Sequence, residues 1–172
     1  MVKLRTRCLL LGDAAVGKSS LCHMFHSEGV QFQRSYTMVR AAPPLLSSSS
    51  SSFLQSGSVF CPQWGEAWLL CLVFDLSSDQ SFLSCDRWLQ RVQAHSLGNT
   101  VSGVLLGNKC DLLERRAVQT EEAQGWAQAH GLDYYETSAK ELDTCSAPLL
   151  RLAQTCLSLY EQSCERMHSL AS

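Results

Sequence analysis

The sequence predicts an α/β fold in which helices cover both faces of a doubly wound, mostly parallel sheet. Two observations predict it: short apolar segments alternate with longer amphipathic ones, and a glycine-rich loop joins the first apolar segment to the first amphipathic one. The 172 residues suit one domain over 1–172. A formal net charge of −2 offers no basic surface for nucleic acid. Nine scattered cysteines, without metal-ligand spacing, indicate a reducing compartment such as the cytosol.

Each element is predicted from the spacing of its apolar residues. Strands are expected at 4–11, 69–74, 101–106 and 132–136. Helices are expected at 18–27, 80–94, 120–130 and 146–163. Ser78 or Asp79 should cap the second helix, and Trp88 and Trp126 are expected in the core. The last helix has one face that is predicted to pack against the sheet, formed by Leu149, Leu152, Ala153, Cys156 and Tyr160.

The loop after the first strand matches the phosphate-binding pattern of nucleotide-binding proteins. Gly12, Gly17, Lys18 and Ser19 have the spacing GxxxxGKS, between an apolar strand and a helix. Glycines let the backbone N–H groups turn towards phosphate oxygens, and the helix N-terminus adds partial positive charge. Lys18 should reach the β- and γ-phosphates, and Ser19 should ligate Mg²⁺. The predicted phosphate-site residues are Gly12, Asp13, Ala14, Ala15, Val16, Gly17, Lys18, Ser19 and Ser20.

Two later segments predict that the base is guanine. The segment NKCD contains Asp111, whose carboxylate can accept hydrogen bonds from guanine N1 and N2, a donor pair that adenine lacks. Asn108 can tie this segment to the phosphate loop, and the stem of Lys109 can lie over the base. The segment ETSAK adds a backbone N–H at Ala139 for guanine O6. Its predicted contact residues are Ser138, Ala139 and Lys140.

These motifs resemble those of Ras-like small GTPases, which have the P-loop NTPase fold. The stretches GDAAVGKSSL, GVQFQRSYT, LCLVFDLSSDQSF, GVLLGNKCDL, RRAV and YYETSAKE are similar to the Rab-like GTPase subunits of the intraflagellar transport B complex. The resemblance covers 1–38 and 64–172. It implies GTP, GDP and Mg²⁺ as ligands, and residence in the cytoplasm and cilium. It also implies that the C-terminal region helps hold a small β-sandwich partner among the other subunits of that complex. The last residues are not a prenylation box, so no lipid anchor is expected.

The resemblance fails where a small GTPase contacts the γ-phosphate. Phe32 and Tyr36 have the spacing of the effector loop, in which the first aromatic shields guanine. The position of the Mg²⁺-binding threonine is Val39, which has no oxygen to offer. The DxxG motif is also missing between Thr37 and Asp75. The resemblance further implies that Ala14, where many fast hydrolysers have glycine, crowds the residue that positions the attacking water.

Residues 39–63 are predicted to form a disordered, serine-rich insert in place of the switch regions. Because the resemblance stops and resumes at its two edges, one hypothesis is that this segment is translated intron. Without the strands that it replaces, the first strand should be an exposed apolar edge of an incomplete sheet. The sequence leaves three interpretations of the chain: a guanine-nucleotide-binding transport subunit with impaired hydrolysis, a structural subunit that acts independently of nucleotide, and a nonproductive splice product.

Overall fold

A computed structural model of the chain describes residues 8–27, 69–95 and 101–170. Within these ranges the strands are β1 (Cys8–Leu11), β2 (Leu69–Asp75), β3 (Ser102–Asn108) and β4 (Asp133–Thr137). The α-helices are α1 (Lys18–Ser27), α2 (Asp79–His95), α3 (Thr120–Ala129) and α4 (Leu142–Leu170). None of the described helices is both long and apolar enough to cross a bilayer. The predictions for Phe32 and for residues 39–63 lie outside the described ranges.

The strands form one parallel sheet in the order β1-β2-β3-β4. All seven residues of β2 are buried, and they alternate between the two faces. Leu70, Leu72 and Phe74 join a core with α2 and α3. Their neighbours Leu69, Cys71 and Val73 join a second core with α1 and α4. Burial on both faces explains the continuous apolar run in this strand and confirms the doubly wound α/β arrangement.

Strand β1 lies at the edge of the sheet in the part of the chain that the structure describes. It pairs with β2 through the register Leu9↔Leu70. Cys8 is exposed and Leu9 and Leu10 are half-buried, in contrast to the complete burial of β2. The prediction that β1 is an exposed edge depends on residues 28–68, which lie outside the described ranges.

Helix α2 begins at Asp79, one residue before the predicted start at 80, and Ser78 is its N-cap. The hydroxyl oxygen of Ser78 accepts a hydrogen bond from the backbone N–H of Ser81 at 3.3 Å, the usual capping contact. The Ser81 hydroxyl also contacts the end of β2, since it accepts from the backbone N–H of Asp75 at 2.9 Å. These bonds fix the start of α2 beside the carboxyl end of β2.

Helix α4 differs most from the expectation. It begins at Leu142, four residues before the predicted start, because a turn at 138–144 leads directly into it: Glu141 N–H donates to Ser138 at 3.0 Å. The predicted core face is only partly right. Leu152 is buried and Cys156 packs against the core, but Leu149 and Tyr160 are 36% and 45% exposed. Ala153 is exposed as well. The core-facing stripe instead consists of Cys145, Pro148, Leu152, Cys156 and Leu159.

Candidate nucleotide site

The loop between β1 and α1 has a backbone that few residue types can adopt. Gly12, Ala15 and Gly17 have φ angles of +144°, +64° and +101°. A Cβ atom at Gly12 would lie 2.0 Å from the carbonyl oxygen of Val73, and one at Gly17 would lie 2.2 Å from Nδ2 of Asn108. Both glycines are therefore required by close approach as well as by conformation. The result is a tight loop directly before a helix N-terminus, the arrangement that binds phosphate in other proteins.

Lys18 is folded onto this loop. Its Nζ donates to the carbonyl oxygens of Gly12 and Asp13 at 2.9 and 2.6 Å. Partial burial lowers the pKa of the Lys18 ammonium, and the nearby charge of Asp13 acts in the opposite direction. Gly17, just before α1, and Ser19 and Ser20 in its first turn are half-buried, whereas Ala14 and Ala15 in the loop are exposed. The ammonium is thus positioned over the loop that would surround a phosphate.

An acidic side chain in a phosphate loop would repel its ligand unless its charge were held elsewhere. Helix α2 holds the carboxylate of Asp13. The indole Nε1 of Trp88 donates to Oδ1 of Asp13 at 2.8 Å, and Arg87 donates to the same oxygen at 3.3 Å. Trp88 is 5% exposed, so it is a core residue as predicted. Its contact with the phosphate loop is a second role that the sequence did not reveal.

The segment after β3 is joined to the phosphate loop. Asn108 is 1% exposed, and its Nδ2 donates to the carbonyl oxygen of Val16 at 2.7 Å. Its Oδ1 accepts from the hydroxyl of Thr137 at 3.4 Å. The next residue, Lys109, has a φ of +67°, and Cys110 N–H donates to the carbonyl oxygen of Thr137 at 3.1 Å. The expected tie between the two loops is confirmed.

Asp111 and the segment after β4 contact each other directly. Its Oδ1 accepts from the hydroxyl of Ser138 at 2.8 Å, and its Oδ2 is paired with the ammonium of Lys140. Burial acts to raise the pKa of Asp111, but the bonds from Lys140 and Ser138 outweigh it and lower the pKa below the usual value. Ser138 N–H donates to Thr144 at 2.9 Å, and Ala139 is buried. A charged carboxylate is therefore held at this edge of the sheet.

The structure brings all the predicted site residues in its described ranges to the carboxyl ends of the parallel strands. Their contacts with a nucleotide stay predictions. Sequence reasoning missed Asp75, Trp88 and Thr137. A sequence signal existed for Asp75, because it is a carboxylate at the end of a continuous apolar strand. No local pattern marks Trp88, because its partner lies 75 residues away.

A sequence model described as the Ras family matches residues 63–158. The chain is 39% identical over 185 positions to the intraflagellar transport protein 27 homolog of Mus musculus, covering 99% of this chain and 100% of that one. The Homo sapiens homolog is 38% identical over 186 positions, with the same coverage. Intraflagellar transport protein 27 of Chlamydomonas reinhardtii is 34% identical over 180 positions, covering 92% of this chain and 87% of that one. The chain therefore belongs to the Ras family.

Proposed function

We propose that this chain binds the guanine nucleotides GDP and GTP as a Rab-like subunit of the intraflagellar transport machinery. The observation that carries the proposal is the 2.7 Å hydrogen bond from Asn108 to Val16, which joins two loops of complementary chemistry. One loop offers backbone N–H groups and Lys18 to phosphates. The other offers the carboxylate of Asp111 to the donor pair of guanine. Selection of guanine over adenine follows from that pair.

Mg²⁺ would bind together with the nucleotide, through the hydroxyl of Ser19. This ion usually takes one or two protein ligands, with waters and phosphate oxygens completing its shell, so a single hydroxyl beside the phosphate loop fits it. In the described ranges no group of three His, Cys, Asp or Glu side chains could hold a metal ion. We therefore expect Mg²⁺ affinity to depend on the bound phosphates.

We further propose that hydrolysis is impaired. The sequence has valine at position 39 and lacks DxxG, so neither γ-phosphate contact of the family is encoded. One comparison is consistent with missing switch residues: the alignment with the mouse homolog has 185 positions against 172 residues here, so at least 13 of them have no residue of this chain. We therefore expect the chain to bind guanine nucleotides without hydrolysing GTP at a useful rate.

The proposed partner is a small β-sandwich subunit of the intraflagellar transport B complex, in the cytoplasm and the cilium. The names of the relatives support a role in intraflagellar transport, and the sequence resemblance implies the B complex and the β-sandwich partner. Helix α4 supplies an apolar surface for such a contact, since Leu150 and Leu157 are 62% and 48% exposed. This surface supports a second candidate function, a structural subunit whose docking is independent of nucleotide.

Titration with fluorescently labelled GDP and ADP tests the proposal. Wild-type protein should prefer GDP, and Asp111→Asn should weaken GDP binding by about tenfold or more while favouring XDP, because an amide can donate to O2 of xanthine. Asp143→Asn is the matched control, because it makes the same change at an exposed carboxylate of α4. Equal affinity for GDP and ADP, or no GDP binding, would contradict the proposal. Partner binding that is equal for wild type and Asp111→Asn would favour the structural subunit.

A further inference from the structure

Asp75 is a nearly buried carboxylate with no role among the residues that the motifs identify. It ends β2 and lies in register with Asn108, the last residue of β3. It therefore faces the start of residues 108–111, here called the base-reading loop after the proposed role of Asp111. The residue is 8% exposed. Its Oδ2 accepts from Nζ of Lys109 at 2.6 Å, and its Oδ1 accepts from the backbone N–H and hydroxyl of Ser77 at 2.9 and 2.6 Å. Both carboxylate oxygens therefore have donors.

These donors keep Asp75 charged. Burial acts to raise its pKa, but the hydrogen bonds from Lys109 and Ser77 outweigh burial and lower the pKa below the usual value. The Ser77 bonds are local and fix the carboxylate on its own turn. The bond to Lys109 crosses from β2 to the loop after β3, so it is the one that can position a neighbouring side chain.

Lys109 needs such a constraint. Its φ of +67° is in the left-handed region that disfavours a residue with a side chain, so its backbone is held by its surroundings. Its side chain is 32% exposed, and a free lysine stem would lose rotamer freedom when it packs against a ligand. The ion pair fixes the ammonium end of the stem before any ligand arrives.

We propose that Asp75 is a positioning residue for the nucleotide base: it anchors the ammonium of Lys109 so that the alkyl stem is already aligned to lie over the purine ring. This inference rests on the proposed guanine-nucleotide function. It assigns Asp75 a share of affinity that is common to purine rings, whereas Asp111 selects guanine by its donor pair. The two contributions are therefore separable by the choice of nucleotide.

The test compares release of GDP and IDP from wild type and Asp75→Asn. Hypoxanthine has the same ring system as guanine but lacks the amino group that would donate to Asp111. Loss of the anchor should speed release of both nucleotides by the same factor, about tenfold, because both share the ring that the stem covers. The ratio of GDP to IDP release should stay at its wild-type value. Glu122→Gln, which removes one exposed negative charge on α3, should leave both rates unchanged.

Lys109→Met keeps an unbranched stem without the ammonium and completes a double-mutant cycle. If Asp75 acts through Lys109, adding Asp75→Asn to Lys109→Met should not speed release further. Comparing Lys109→Met with the double variant also tests the role of Asp75 if Asp75→Asn alone fails to fold, because the double variant has no unpaired charge. Unchanged release, a collapse of the GDP preference, or additive effects in the cycle would overturn the inference. Wild-type protein that released neither nucleotide because it bound neither would instead overturn the proposed function, and this inference with it.

Discussion

Replacing Asn108 with alanine removes the side chain that joins the base-reading loop to the phosphate loop. The amide loses its 2.7 Å bond to the carbonyl oxygen of Val16 and its 3.4 Å bond from the hydroxyl of Thr137. Asn108 is 1% exposed and Thr137 is fully buried. Because water has little access to these groups, the substitution leaves polar atoms without partners.

The size of the effect follows from this burial. A buried polar group left unpaired costs about 1–3 kcal/mol, and the longer Thr137 contact adds little because hydrogen bonds weaken with distance. We therefore expect Asn108→Ala to lower the free energy of unfolding by about 2–3 kcal/mol. For a chain of this size, that corresponds to a fall in melting temperature of about 4–12 °C.

Nucleotide affinity should fall as well, because the two loops would no longer be held in one geometry before binding. A loss of about 1.4 kcal/mol of preorganisation corresponds to a tenfold weaker dissociation constant for GDP. The measurements are thermal unfolding without nucleotide and fluorescence titration with GDP. Gln128→Ala is the matched control, since it truncates an exposed side-chain amide on α3. If Asn108→Ala melted and bound GDP like Gln128→Ala, the coupling of the loops through Asn108 would be wrong.

The pair with Arg116 lowers the pKa of Glu136 from 4.5 to about 2. Because solvent screens this partly exposed pair, we expect it to contribute about 1–2 kcal/mol of stability, present above pH 4.5 and lost as pH falls towards 2. Glu136→Gln should flatten this part of a stability–pH curve, and unchanged curvature would contradict it. Trp88→Phe should weaken GDP binding about threefold to tenfold because it removes the shorter of the two hydrogen bonds that hold the carboxylate of Asp13 on α2, leaving only that from Arg87. Trp126→Phe, which breaks a comparable indole bond away from the loop, should not weaken it, and equal losses would refute the reasoning. Aligning the transcript with its genomic locus should place 39–63 in an intron, and ordinary exon sequence there would remove that hypothesis.

The fold and the loops of the site were predictable because their signals are local. The phosphate loop has a complete pattern of glycines at fixed spacing, and its backbone geometry makes those glycines obligatory. Asn108 could be assigned its tie to that loop from the motif alone, and the structure confirms the bond. The strands are recognisable because β2 is apolar throughout, as a strand buried on both faces must be.

The remaining contacts could not be predicted because they depend on register and helix rotation. The ion pair between Asp75 and Lys109 joins residues 34 positions apart, and it forms because two strands end side by side. The face of α4 was assigned wrongly at Leu149, although Leu152 was right. A helix turns through about 100° for each residue, so an error of one position moves a side chain from the core to the surface.

The central claim is that this chain binds the guanine base and the α- and β-phosphates but makes no specific contact with the γ-phosphate. Binding of GDP and GTP to the wild-type protein in the presence of Mg²⁺, followed by single-turnover hydrolysis of GTP, tests it most directly. We predict similar dissociation constants for the two nucleotides and no hydrolysis above the rate in buffer. GTP turnover comparable to that of ordinary small GTPases, or strong preference for GTP over GDP, would contradict the account.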